Sequence, residues 1–177
     1  MSEIRIATRY AQSLIGLATE LGNLDGVYED VITIFNTASK SLELVAMLKS
    51  PLVKQDTKKA ILSTIFKNST QVTQLFLNKI ISARREMFLV EIANQFIAIY
   101  NEQKGIANAT VTSATDLDDK SLDQIKAYIS QKINKPNIQL TVKTDAGIIG
   151  GLVIAYEDKL LDMSIKSELN KLKQQLN

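Results

Sequence analysis

Up to about residue 105 the apolar residues of this chain recur every three or four positions, and beyond it a stretch begins in which they alternate every second position. A period near 3.6 lines up one face of a helix, and a period of two lines up one face of a strand. One uniform architecture cannot satisfy both. The change at Gly105 therefore predicts two parts: residues 1–105 built from helices, and residues 106–177 mixing helices with strands.

In the first part, Ala7, Ala11, Leu14, Ala18 and Leu21 define one helical face, and Gly22 supplies a left-handed stop. A second helix carries Leu24, Val27, Tyr28, Val31, Ile34, Phe35 and Ala38. A short third runs from about Leu42 to Leu48 and must end before Ser50-Pro51, because the residue ahead of a proline is pushed out of the α region. Asp56 is the expected N-cap of a fourth helix, and Ser69 or Thr70 that of a fifth. The sixth spans about Glu86 to Glu102. Short loops join these helices, so sequence neighbours are expected to run antiparallel in a six-helix bundle.

After Gly105, Ala109, Val111 and Ser113 alternate with Thr110 and Thr112, as a half-buried strand does. Asp118 opens a helix, with Leu117 and Leu122 placed as a hydrophobic staple, and Pro136-Asn137 ends that segment. Ile138, Leu140 and Val142 form a second alternating run. Past the turn residues Asp145 and Gly147, Leu152 to Tyr156 is expected to return as the other arm of a β-hairpin. A last helix starts near Ser164 and shows Ile165, Leu169, Leu172 and Leu176. The fold class is thus mainly α, an N-terminal six-helix bundle followed by a small α+β domain with a β-hairpin.

Composition narrows the chemistry. The chain has 177 residues and neither cysteine nor histidine, so thiolate and imidazole nucleophile systems and the usual zinc sites are excluded. Its 21 Lys and Arg stand against 19 Asp and Glu, for a net charge of +2. Basic and acidic residues are interspersed, 12 against 10 up to Gly105 and 9 against 9 after it, so neither part is the polycation that phosphate backbones require. No nucleic-acid partner is expected. Even the apolar and glycine-rich stretch containing Ile148 to Tyr156 is far short of the roughly 20 residues a membrane-spanning helix needs. The opening residues hold no apolar block with a cleavage site, so no export signal is expected.

Several clusters suggest sites. Gly147, Gly150 and Gly151 suggest a phosphate loop, but no Lys-Ser/Thr pair follows and the next residues read as a strand, which favours a tight turn with close backbone packing. Glu157, Asp158 and Asp162 suggest a carboxylate cluster for acid-base work or Mg²⁺; the competing reading puts Asp158 at a turn and Asp162 ahead of a helix N-terminus. Arg84-Arg85 could hold an anion, or cap the carbonyls of a helix end. No metal or cofactor is expected.

The first and fifth helices carry more apolar surface than one buried stripe needs. Ile6, Tyr10 and Leu17 lie on a second stripe of the first, and Phe76 and Ile80 flank the Leu77-Ile81 pair of the fifth. Either these helices are sandwiched between several neighbours, or they frame a groove for an amphipathic helix of another protein.

At this point the motifs resemble those of the delta subunit family of F-type ATP synthase, related to the mitochondrial oligomycin sensitivity conferral protein. Arg9-Tyr10-Ala11, with Leu14 three residues on, is similar to the family's opening Arg-Tyr-Ala-x-x-Leu, and Ser50-Pro51 to its Ser/Asn-Pro. Arg85, Leu89, Ile92 and Phe96 keep its Arg-x3-Leu-x2-Ile-x3-Phe spacing. Ser113-Ala114 with Leu117, and Ile149-Gly150-Gly151-Leu152-Val153-Ile154 followed by Asp158, Asp162 and Ser164, resemble its two C-terminal signatures. Ala83, Asp116 and Glu157 depart from the family pattern at turns.

The resemblance implies a non-catalytic connector, present in one copy per complex. Its helical domain would bind the N-terminal helix of an alpha subunit of the catalytic head, through Ile6, Tyr10, Leu17, Phe76 and Ile80. Its C-terminal domain would hold b-type subunits of the peripheral stalk, through Ile165, Leu169 and Leu172, residues that would serve equally well as core. It also implies a peripheral place at the cytoplasmic face of a bacterial inner membrane, or at the stromal face of a thylakoid for an organelle-encoded chain. The competing reading from the residues is a small nucleotide- or anion-binding enzyme using Gly150-Gly151. A free-standing helical adaptor is a third.

Overall fold

A computed structural model describes residues 3–156 and 159–175. The chain is mainly helical with one four-stranded sheet, and it divides into two compact units, Met1–Tyr100 and Asn101–Asn177.

The first unit contains α1 (Glu3–Glu20), α2 (Leu24–Lys40), α3 (Leu42–Lys49), α4 (Gln55–Ile65), α5 (Gln71–Ser82), a 3-10 turn (Glu86–Phe88) and most of α6 (Leu89–Gln103). Local chemistry sets the ends of these helices. The Ser41 hydroxyl accepts from the Leu44 N–H at 3.2 Å and starts α3, while its own N–H ends α2 on the Thr37 carbonyl, and the chain bends by 96° there. Thr70 caps α5 through the Thr73 N–H. The expected cap of α4 needs correcting: the N-cap is Lys54, and Asp56 sits inside the first turn, where its charge still favours the helix N-terminus. Apolar periodicity could not separate these positions, since neither Lys54 nor Asp56 belongs to the apolar stripe.

Ala7, Ala11 and Ala18 are fully buried on α1, and Phe96, Leu14, Leu62, Ile80 and Ile92 fill the core of this unit. Each such large side chain contributes about 1.5–3 kcal/mol by leaving water. Buried polar groups then fix how the helices meet. The Asp30 carboxylate on α2 accepts from the Thr70 N–H at 2.8 Å and the Thr73 hydroxyl at 2.7 Å, so it holds the start of α5. Lys58 on α4 donates to the Leu48 carbonyl at 2.8 Å and to Glu86 at 2.7 Å, tying three segments at one buried ammonium. Removing one member of such a buried pair costs about 3–5 kcal/mol, because the other charge is left without compensation.

Tyr100 joins α6 to α2. Its ring stacks on Tyr28 with centroids 3.9 Å apart, and its hydroxyl donates to Asp25 at 2.7 Å.

The second unit contains β1 (Ile106–Ser113), α7 (Asp119–Ile133), β2 (Asn137–Thr144), β3 (Gly151–Tyr156), β4 (Lys159–Ser164) and α8 (Ile165–Gln175). Asp118 caps α7 as expected, accepting from the Ser121 N–H at 3.1 Å, and hydrogen bonding from Ser121, its side chain foremost and then its backbone, holds the Asp118 carboxyl below the usual carboxylate range. The sheet order is β2-β1-β3-β4, with β1 and β2 parallel and the other pairs antiparallel.

That order overturns the expected hairpin of residues 138–142 with 152–156. β1 lies between those two runs, and the connecting chain crosses its end, where the Asp145 N–H donates to the Ser113 carbonyl at 2.8 Å. The actual hairpin pairs β3 with β4, a strand the sequence reading left out. The local pattern marks alternating runs but not their partners. Because α7 joins β1 to β2, that connection can return the chain parallel to β1, which a tight turn cannot do.

Register puts Ala109, Val111, Ile154 and Tyr156 on one face of the sheet, against Ile125 and Ile129 of α7. Gly151 has φ 77, and a Cβ there would run into the backbone carbonyl of Met163. Its lack of a side chain thus permits the close β3–β4 approach, as the tight-turn reading of the glycines expects.

Burial, with Asp25 beside it, pushes the Tyr100 phenol up to about 12 from its ordinary value. A folded-state value above the unfolded one of about 10 stabilises the fold fully below pH 10, and that contribution is lost as pH rises towards 12. The urea midpoint of the native chain should therefore fall more steeply between pH 9.5 and 12 than that of Tyr100→Phe, as about pH 10 and 12 bound the titration. Parallel curves for the two would remove Tyr100 as the cause.

Candidate docking surfaces

Helix α1 has one apolar stripe turned inward and a second turned outward. Ala7, Ala11, Leu14, Ile15 and Ala18 are buried. Ile6 and Tyr10 are half-buried beside them, and Leu17 is 38% exposed. Leu21, placed on the inner face by its spacing, is 59% exposed and continues the outer stripe four residues beyond Leu17. The helix ends at Glu20, and although the Leu21 N–H still donates to the Leu17 carbonyl at 3.1 Å, the Leu21 side chain stands exposed at the helix end.

Helix α5 packs against both α1 and α2. Phe76 is half-buried and lines a small internal cavity with Leu14 and Ile92. Ile80 is 1% exposed. Its side chain is therefore core in the unbound protein and cannot face an open groove without rearrangement. The residue of α5 that does project is Leu75, 57% exposed, which the sequence reading assigned to the helix but not to its outer face. Of the five residues expected at the first surface, Ile6, Tyr10 and Leu17 share one outward stripe, Phe76 stands at the edge of the core, and Ile80 lies inside it.

At the other end of the chain, Ile165, Leu169 and Leu172 are 45%, 52% and 55% exposed, so the core alternative for them does not hold. From residue 165 to 173 only Ser167 is even half-buried. The Ser164 hydroxyl starts α8 by accepting from the Ser167 N–H, and the helix then extends from β4 with Ile165 beside the Gly150 turn and Leu169 and Leu172 exposed. Leu176 lies outside the described residues.

A second apolar surface was not legible in the sequence. A groove of about 480 Å³ runs between α7 and the β3–β4 pair, with Leu117, Tyr128, Leu152 and Met163 among its walls. It depends on β4 lying beside β3, so no single segment carries its signal.

The glycine turn, Asp162 and the Arg84-Arg85 pair each have a structural role in the fold. The turn before β3 has the Asp145 carboxylate accepting from the Gly147 N–H at 2.8 Å, and the glycines lead into a strand instead of a helix N-terminus. Asp162 lies on β4 and accepts from the Ser164 N–H at 2.9 Å, and hydrogen bonding from Ser164, its side chain foremost and then its backbone, holds the Asp162 carboxyl below the usual range. Glu157 and Asp158 lie outside the described residues. Among the described residues no group of three or more acidic side chains could hold a metal ion. Arg84 adopts φ 55, and the Arg84 and Arg85 N–H groups donate to Ile81 and Ile80 carbonyls at 2.9 Å each. The pair thus closes α5 through its backbone.

No single helix among the described residues is long and apolar enough to cross a membrane. Fold and surface together define a two-unit chain whose exposed features are apolar helix faces. The family model for the ATP synthase delta (OSCP) subunit matches residues 6–176, and the chain belongs to that family. The ATP synthase subunit delta of Lactobacillus acidophilus is 30% identical over 176 residues, covering 99% of this chain and 97% of that one. The protein of the same description from Cytophaga hutchinsonii is 36% identical over 174 residues, covering 98% and 94%. A chain in the cryo-EM structure of the Toxoplasma gondii mitochondrial ATP synthase hexamer shares the fold, with a TM-score of 0.69 at 20% identity and 96% of each chain covered.

The burial difference between the two surfaces has a direct thermodynamic test. Ile80→Ala should destabilise the chain by about 2–5 kcal/mol, as a large-to-small change in a packed core does. Leu169→Ala should stay within about 0.5 kcal/mol. Denaturant titration of the two variants measures both, and equal losses would contradict the assignment of Leu169 to the surface.

Proposed function

We propose that this chain is a non-catalytic stator subunit of the proton-translocating F-type ATP synthase, linking the catalytic head to the peripheral stalk so that the head does not turn with the rotor. The observation that carries this reading is a family match along nearly the whole chain, in a protein whose first and last helices both expose apolar stripes. A link under load needs slow dissociation more than it needs chemistry. Burying an apolar helix in a partner groove supplies it, since interface differences act mostly on the off-rate.

In this reading the outward stripe of α1, Ile6, Tyr10 and Leu17 with Leu21 added, receives the N-terminal helix of one alpha subunit, and Phe76 supports it from α5. Ile80 contributes from beneath, through packing. The face of α8 with Ile165, Leu169 and Leu172 receives the b-type stalk subunits. The head-binding role falls to the helical part over 1–105 and the stalk-binding role to the α+β part over 106–177. The protein sits in one copy per complex, peripheral to the membrane, at the cytoplasmic face of a bacterial inner membrane or the stromal face of a thylakoid. It needs no metal or cofactor and binds no nucleic acid. The nucleotide-enzyme alternative lacks a physical basis at the glycine turn, because Gly151 is packed against the β4 backbone where a phosphate would have to approach.

Tyr10→Asp should weaken binding of an alpha-subunit N-terminal peptide about tenfold or more, since it places a charge in an apolar contact, while helical content by circular dichroism is unchanged. Retained affinity would remove the α1 stripe from the site. Deleting residues 164–177 should abolish co-purification with b-type subunits but leave head binding intact; stalk binding that survives the deletion would refute the assignment of α8.

A further inference from the structure

We propose that the pocket beside the start of α4 binds inorganic phosphate, with Lys54 and Arg84 at its rim and the Lys58–Glu86 pair at its floor. This does not depend on the stator reading above.

The pocket has a volume of about 330 Å³ and lies within the first unit, where the end of α3, the start of α4 and the 3-10 turn meet. Its walls carry the cationic side chains of Lys49, Lys54, Lys58 and Arg84 against a single carboxylate, Glu86. The site is therefore cationic in a chain whose net charge is only +2. Asp56, in the first turn of α4, is exposed and does not line it, so solvent screens its charge.

The start of α4 adds backbone donors. The Lys54 side chain makes no cap bond, and the N–H groups of Gln55, Asp56 and Thr57 meet no acceptor among the described residues. Gln55 itself lines the pocket. Unsatisfied N–H groups at a helix start, with cations around them, favour an oxyanion.

These features alone would accept any anion, and the floor narrows the choice. Lys58 and Glu86 are 3% and 7% exposed, whereas Lys49, Lys54 and Arg84 are exposed. The Lys58 ammonium has three protons and gives two of them, to the Leu48 carbonyl and to Glu86 Oε1. Glu86 Oε2 is buried and accepts no hydrogen bond among the described residues. An unsatisfied buried oxygen is costly, and the last torsion of a glutamate is soft, so this oxygen can turn towards a donor at little cost. The matching ligand offers acceptor oxygens to the cations and one proton to Glu86. Monohydrogen phosphate has both. Sulfate has no proton to give, and a phosphate monoester, whose second ionisation falls near pH 6, has lost its own by about pH 8.

The test titrates the full chain calorimetrically at about pH 8 and constant ionic strength with inorganic phosphate, and in parallel with sulfate and with glycerol phosphate. Phosphate should bind about tenfold or more tightly than either, because only it satisfies the buried carboxylate. Its addition should shift the NMR amide signals of Gln55, Asp56 and Thr57. The Lys54→Gln, Arg84→Asn double variant changes two exposed positions, and asparagine tolerates the φ of 55 at Arg84. It should lose phosphate affinity about tenfold or more with an unchanged melting temperature. Absence of phosphate binding would overturn the proposal. Equal affinity for sulfate or glycerol phosphate would also overturn it, by removing Glu86 from recognition, and so would unaltered affinity in the double variant. The titration uses no other subunit, so its failure would leave the stator reading standing.

Discussion

A helix has one circumference, and the alanines of α1 decide how this one is used. Ala7, Ala11 and Ala18 are fully buried, and such small side chains let the backbone lie close to its neighbours. The core is then closed without the larger residues on the next stripe, so Ile6, Tyr10 and Leu17 remain at the surface. The same helix thereby belongs to the core of the first unit and keeps a second apolar face at the surface. Placing large residues on the inner stripe would push the helix away from α5 and disturb both roles.

The second unit rests on a different constraint. β1 is paired along both edges, with β2 through the α7 crossover and with β3 across the end of the chain's next turn. β4 then adds to β3, and α8 leaves directly from its last residue. Position is thus passed along a chain of hydrogen-bonded strands to a helix that is itself almost unburied. That helix is held at its start by the sheet while its apolar residues stay exposed.

Much of this was legible because it is local. Periodicity marked all the helices, proline and glycine marked several ends, and Thr70, Asp118 and Ser164 were recognisable as caps or helix starts because a side-chain oxygen reaches an N–H only a few residues away. The excess of apolar residues on α1 was also visible, since a wheel needs only one segment. Ile80 and Leu75 were harder to sort: both are apolar on one helix, and which is core depends on where α1 and α2 press against it. Strand pairing was harder still. The runs 138–142 and 152–156 look like the two arms of a hairpin, and nothing within either says that β1 lies between them.

Local pattern alone thus marks the eight α-helices and three of the four strands, the change from helix to sheet near Gly105, the absence of imidazole and thiol chemistry, and the motifs that place the chain in its family. Tertiary structure alone decided that Leu21 and Leu75 face out while Ile80 faces in, that β3 pairs with β4, and that a groove opens between them and α7. The physical reason is range: capping and periodicity act over a few residues, whereas burial and strand order depend on segments that meet only after the chain has folded.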